Sequence, residues 1–282
     1  MAAEPDHESI GYLVFDIESV ADPGLISLVR TQGKKSPGEA LREFRDELTA
    51  KNGSDFIPYT FQVPISLALA KLREDFSLKD LIVLRVEDGG PREICKRFWS
   101  GWQFYGFPQL VSFNGRKFDV PLLELTAFRY GITVPRWFTD YEGGKQLRSR
   151  YANSHLDLFD ALTNYGVSNF FGGLNLASKL LRKPGKIDVK GEMVQDMFED
   201  NRLEEIHRYC RCDVLDTYFV FLRYQQIRGA ISPQRESDLI AQTRVFLETR
   251  AEEEPVYREY LNVWQETNEY LNSNDIFAAY EK

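Results

Sequence analysis

Four apolar residues, Tyr12-Leu13-Val14-Phe15, run directly into Asp16-Ile17-Glu18. A run that short and that apolar reads as a buried strand. Side chains two apart on a strand leave the same face of the sheet. The segment therefore commits the fold to a sheet whose first strand ends by delivering two carboxylates to one spot. Carboxylates forced together repel, and a divalent cation between them makes the pair tolerable. D-x-E alone also suits an ordinary surface strand end, so the rest of the chain has to decide.

Further strands are expected at 63–70, 81–86, 109–113 and 155–159, with a helix at 120–130 stopped by Gly131. Helices follow at 175–181, 192–200 and 203–228, and 233–271 reads as amphipathic helix with Val256, Tyr257, Tyr260, Leu261 and Trp264 on one face. Strands first, a helix between strands, then mostly helix describes a mixed α/β domain over residues 10–228, with a helical extension over 229–282. Residues 31–58, rich in Gly, Pro, Ser and charge around a helix at 39–50, read as a surface insertion.

With 282 residues, 43% hydrophobic, the chain is long enough to bury a proper core. Its net charge is −8, which is not the footprint of an ordinary nucleic-acid binder. The acidity sits mostly in the extension, where residues 233–282 hold 5 basic and 11 acidic residues. Three cysteines without framework spacing, no leader-like N-terminus and no apolar stretch of about 18 residues point to a cytoplasmic protein without a membrane partner.

Two more motifs carry chemistry-bearing side chains. Asn114-Gly115-Arg116-Lys117-Phe118-Asp119 follows an apolar strand through a Gly turn, with the Asp opening the next helix. An N-cap role would account for Asp119, but not for Asn114 or Phe118. In Tyr209-Cys210-Arg211-Cys212-Asp213, Tyr209 and Asp213 are i and i+4 and share one helix face. Asp157, at the end of a later strand, reads as a structural carboxylate. Cys210 and Cys212 fall on different helix faces and have no second Cys or His pair, which argues against a zinc site.

Strand-end D-x-E, N-x-x-x-F-D after a later strand and helical Y-x-x-x-D follow one another about one hundred residues apart. In that order they resemble the Exo I, Exo II and Exo III motifs of the DEDD exonuclease superfamily. Tyr209, four before the last Asp, places the chain with the Tyr-bearing branch; the His branch would want His at Arg208. The likeness is strongest to the proofreading 3′–5′ exonuclease domain of family B DNA polymerases and to predicted stand-alone exonucleases related to it. It covers about residues 10–228, and no palm, fingers or thumb follows.

The resemblance implies a ribonuclease H-like fold, a five-stranded mixed sheet flanked by helices. It implies hydrolysis with two divalent cations, Mg²⁺ or Mn²⁺. Asp16 would bridge both; Glu18 and Asp213 would complete the site of the nucleophile-side ion, and Asp119 would hold the other. Tyr209 would position the attacking water. Ile17, Asn114 and Phe118 would contact substrate, although core packing also explains Phe118. The substrate would be a nucleic acid with a free 3′ end, single-stranded DNA first and RNA left open, released as nucleoside 5′-monophosphates. Basic clusters at Lys145, Arg148 and Arg150, and at Lys179, Arg182, Lys183, Lys186 and Lys190, are candidates for phosphate contacts. The competing reading is a binding or scaffolding protein without turnover, with the C-terminal helices as a surface for a protein partner or self-association.

Overall fold

A computed structural model describes residues 9–187 and 191–274. In chain order the first half holds β1 (Ile10–Ala21), α1 (Pro23–Thr31), α2 (Pro37–Asn52), β2 (Gln62–Arg73), β3 (Leu78–Arg85), α3 (Gly90–Phe104) and β4 (Gln109–Ser112). There follow α4 (Asp119–Tyr130), α5 (Pro135–Thr139), a two-stranded ribbon of β5 (Tyr141–Glu142) and β6 (Lys145–Gln146), and β7 (His155–Asp157). The remainder is helical: α6 (Leu158–Leu162), α7 (Gly173–Leu180), α8 (Val194–Glu199), α9 (Leu203–Ile227), α10 (Pro233–Arg250) and α11 (Pro255–Ser273).

The main sheet has the order β3-β2-β1-β4-β7. β3, β2 and β1 are antiparallel neighbours, whereas β4 and β7 run parallel to β1. A parallel return needs a crossover, and α4 supplies the one from β4 to β7. This five-stranded mixed sheet flanked by helices is the ribonuclease H-like arrangement expected from the sequence.

β1 is longer than its apolar run. It pairs with β2 as far as Ala21, but with β4 only over Tyr12–Val14. Asp16 and Glu18 therefore do not end a strand. They lie where one neighbour has left and the other continues. Along β1, Leu13, Phe15 and Ile17 face α3 and α4 and join Phe98, Trp102 and Leu122 in one core. Val14 faces the opposite side, in a core with Ala68, Leu215 and Phe219. Asp16 and Glu18 continue the Val14 row, which is the side of α9. Sixteen of the 25 residues of α9 are buried, as befits a helix wedged between the sheet and α10 and α11.

Between β1 and β2 the chain holds two helices, α1 and α2, where the sequence suggested one. Asp22 caps α1 by accepting the Leu25 N–H at 3.0 Å, with Pro23 in the first turn. Ser36 and Glu39 form a capping box on α2. Ile26, Ala40, Leu41 and Phe44 bury one another with Ala21 and Ile57. The expected single C-terminal helix is two, broken around Pro255. Its apolar face needs no partner chain, because Val256, Tyr257, Tyr260 and Trp264 are buried in the core of α9. Among the described residues no helix is long and apolar enough to cross a membrane.

Candidate active site

The two acids of β1 meet Asp119 because β4 stops short. Past the last β4 partner, the Ile17 N–H is taken by Asp119 Oδ1 at 3.0 Å. Asp119 is thus not the cap of α4. It is its first residue, and its carboxylate turns to β1 while Phe118 occupies the cap position. The turn that delivers it is tight. A Cβ on Gly115 would stand 2.7 Å from Ser112 Cβ and 3.1 Å from Asp119 Oδ2. Asn114 takes a left-handed φ of 65°. Its N–H and that of Arg116 both donate to the Asp157 carboxylate at 2.8 Å, and the Phe159 N–H donates to it at 2.9 Å. Asp157 therefore orders the turn and caps α6, a structural role.

α9 brings the remaining groups. His207 Nδ1 lies 2.9 Å from Ser66 Oγ on β2. Cys210 Sγ sits 3.3 Å from the Ala68 N–H and 3.4 Å from the Asp16 carbonyl. Docked by these contacts, α9 turns Tyr209 and Asp213, one turn apart, toward Asp16 and Glu18.

Glu18, Asp119, Tyr209 and Asp213 are all buried. Burial, then the charge of Asp119, pushes Asp16 up to about 7. Burial raises Asp119 to about 7, and burial with the charge of Asp16 does the same to Asp213. Glu18 is likewise raised well above the usual carboxylate range by burial, Asp16 and Asp213. Burial and the same three acids hold the Tyr209 phenol far above its usual range, so it is a donor and not a base. Lys186 is the cation that pulls against this field at Asp16, Glu18 and Asp213, its Nζ 5.5 Å from the Tyr209 ring.

Whether a divalent cation suits these residues can be judged from the donors. All four acids offer hard oxygens of the kind Mg²⁺ and Mn²⁺ prefer. Asp213 Oδ1 is buried with no hydrogen-bond partner. Ligand atoms of Asp16, Glu18 and Cys210 also lie within 4.8 Å of one another. A cation here would turn mutual repulsion into attraction and satisfy the orphaned oxygen. The residues fit.

Over residues 54–264 the sequence matches the family of predicted 3′–5′ exonucleases related to the exonuclease domain of PolB. The chain belongs to this family. No curated protein matches it. Among solved structures, a family B DNA polymerase from the hyperthermophilic archaeon Pyrobaculum calidifontis is similar over 77% of this chain and 24% of the polymerase, at 15% identity and a TM-score of 0.46.

The PolB-related family match begins after β1, so Asp16 and Glu18 join Asp119, Tyr209 and Asp213 through geometry alone. Other expected site residues fare differently. The Ile17 side chain is buried in the α3–α4 core, and only its backbone reaches the acids. Phe118 is half-buried and meets Phe56 at 5.8 Å and Tyr59 at 6.4 Å between ring centroids. The basic clusters are largely spent inside the molecule. Arg148 pairs with Glu124, Arg150 with Asp160, and Lys179 with Thr267. Lys183 is buried between Trp264 and Phe219. Of the second cluster's described residues Lys186 faces the acids, while Lys190 and its neighbour Asp188 lie outside the described residues. Sequence reasoning missed Phe56 and the contact of Cys210 with Asp16, for which no local pattern gives a signal.

Proposed function

We propose that the protein is a metal-dependent 3′–5′ exonuclease that hydrolyses phosphodiester bonds from the 3′ end of single-stranded DNA and releases nucleoside 5′-monophosphates. One observation carries the reading: four acids from three separated elements converge, three of them buried and Asp16 half-buried, with an Asp213 oxygen left unpartnered. Nothing in folding favours that gathering, since each acid raises the cost of ionising its neighbours. Asp16, Glu18, Asp119 and Asp213 would hold two divalent cations, Mg²⁺ or Mn²⁺. Bound there, such ions supply Lewis-acid activation of water and neutralise charge developing at phosphorus.

The chain's own groups do the rest. Tyr209, protonated and beside Asp213, presents a hydroxyl that orients the attacking water. Lys186 sets a positive charge at the mouth of the acid cluster, where a phosphate must approach. Asn114 and Phe118, on the turn before Asp119, flank the incoming 3′ end.

A 5′-labelled single-stranded DNA incubated with Mn²⁺ should shorten as a ladder from its 3′ end. Degradation should stop with EDTA and be absent in Asp16→Ala. A folded protein that degrades neither DNA nor a matched RNA would overturn the exonuclease reading and leave a binding or scaffolding role.

A further inference from the structure

Beside the acids opens a cleft of about 770 Å³, within the roughly 300–1,000 Å³ typical of ligand sites. One wall comes from β1 past Glu18 and from the insertion, with Ser19, Arg45 and Phe56; Gly172, Asn175 and Lys186 form the other. Phe56 is 54% exposed there. An exposed aromatic on a loop is unremarked in most proteins, but this one is held from both sides. Its neighbour Asp55 accepts from Arg45 Nε at 2.8 Å, and Arg45 also reaches Asp196 of α8 at 3.4 Å. On the other side Ile57 is buried in the small core of α1 and α2. The Phe56 N–H meets Ser54 Oγ at 3.3 Å. The ring lies in the cleft in a tilted contact with Phe118, at 50° between ring planes, and Phe118 directly precedes Asp119.

We propose that Phe56 is a positioning residue, a stacking platform on which the insertion receives unpaired bases next to the 3′ end. The inference rests on the exonuclease reading and adds to it a substrate contact from an element outside the catalytic sheet. The chemistry of the cleft selects the occupant. A flat apolar ring on one wall suits a nucleobase, and Lys186 on the other suits the backbone that the same base carries. Stacking on one aromatic ring is tolerant of base identity, so the platform serves a nuclease without sequence preference. It needs bases whose faces are free, which a duplex does not offer. The insertion is thereby the element that favours an unpaired strand.

The test measures binding of a fluorescent oligothymidylate by anisotropy, with Ca²⁺ supplied in place of Mn²⁺. A second oligonucleotide of equal length carries abasic sugars at its three 3′-terminal positions. Phe56→Ala should weaken binding of the intact strand about tenfold, and Phe56→Tyr should restore most of it. The abasic strand should bind weakly to the unaltered protein and no more weakly to Phe56→Ala. In turnover with Mn²⁺ the Phe56→Ala loss should fall on KM rather than on kcat. If Phe56→Ala binds and degrades the intact strand like the unaltered protein, the platform is wrong while the exonuclease stands. If the unaltered protein neither binds nor degrades any strand, the exonuclease reading fails and the platform falls with it.

Discussion

At the scale of single residues the site is a compromise between folding and function. Asp16, Asp119 and Asp213 are raised from an ordinary value near 3.8 to about 7. Between those two values the folded chain holds more protons than the unfolded one. Stability is therefore fully present in acid and lost as pH rises through about 7. The metal-free protein should melt at a lower temperature at pH 8 than at pH 5. Mn²⁺ should raise the melting temperature more at pH 8, because it binds the ionised acids. A melting temperature flat across that range in EDTA would contradict the buried-acid picture. By the same logic Asp213→Asn should melt higher than the natural protein in EDTA at pH 8 while hydrolysis falls by about 10²–10³ or more. Tyr209→Phe removes only the hydroxyl, so kcat should drop about 10²-fold with little change in strand affinity; equal kcat values would exclude the hydroxyl from the reaction. Asp16, Glu18, Asp119, Tyr209 and Asp213 could be read from the sequence because each obeys a local rule, period two on a strand, i to i+4 on a helix, or a turn into a helix. Phe56 and Cys210 could not, and Lys186 stood out only as one member of a basic cluster. Their distance from the acids is set by how loops and α9 dock, which no spacing encodes.

At the scale of elements, the turn between β4 and α4 places Asp119, and Asp157 at the end of β7 organises that turn. Its carboxylate accepts from the N–H groups of Asn114, Arg116 and Phe159. Asp157→Ala would leave buried donors unpaired, at a cost of about 1–3 kcal/mol for each one that water does not reach. Stability and turnover should then fall together. Asp119→Asn, whose side-chain oxygen can still accept the Ile17 N–H, should lose turnover but not stability, since it relieves repulsion. Melting curves beside rate measurements separate the two acids, and an Asp157→Ala that melts normally but is inactive would instead make Asp157 a ligand. The sequence located β1, β2, β3 and β4 from apolar runs, yet placed Asp16 and Glu18 at a strand end. β1 runs on because β2 keeps pairing on one edge, a fact about the partner and not about the strand. α1 was hidden for a related reason. Leu25-Ile26-Ser27-Leu28-Val29 carries β-branched and apolar residues that suit a strand as well. The Asp22-Pro23 start signal decides for helix only once the small core with α2 forms.

At the scale of the whole molecule the question is whether residues 229–282 are an appendage, as their acidity suggested. We propose that the described part of them, residues 229–274, belongs to the folding unit. The core on one face of the sheet runs from Val14 through Leu215 and Phe219 to Tyr257, Tyr260 and Trp264 without a break. Polar ties follow the same path. The Tyr260 hydroxyl donates to the buried Asp216 at 2.6 Å, and Lys183 Nζ lies 4.2 Å from the Trp264 ring and 4.9 Å from that of Phe219. A chain ending at Arg228 would bare the outer face of α9 and leave the Asp216 carboxylate without its donor. Apolar area of that kind contributes about 25 cal/mol per Å², against a net stability of only about 5–15 kcal/mol for a whole domain. Leu239, Leu247, Val256, Tyr257, Tyr260 and Trp264 lost from one core approach that margin. Because α9 carries Tyr209 and Asp213, its loosening would reach the acids directly. The shortened chain should show no cooperative melting, bind a hydrophobic dye and lack hydrolysis even with Mn²⁺ present. A monomer that melts cooperatively and still degrades single-stranded DNA would make residues 229–282 dispensable, and would leave their acidic surface free to serve a protein partner.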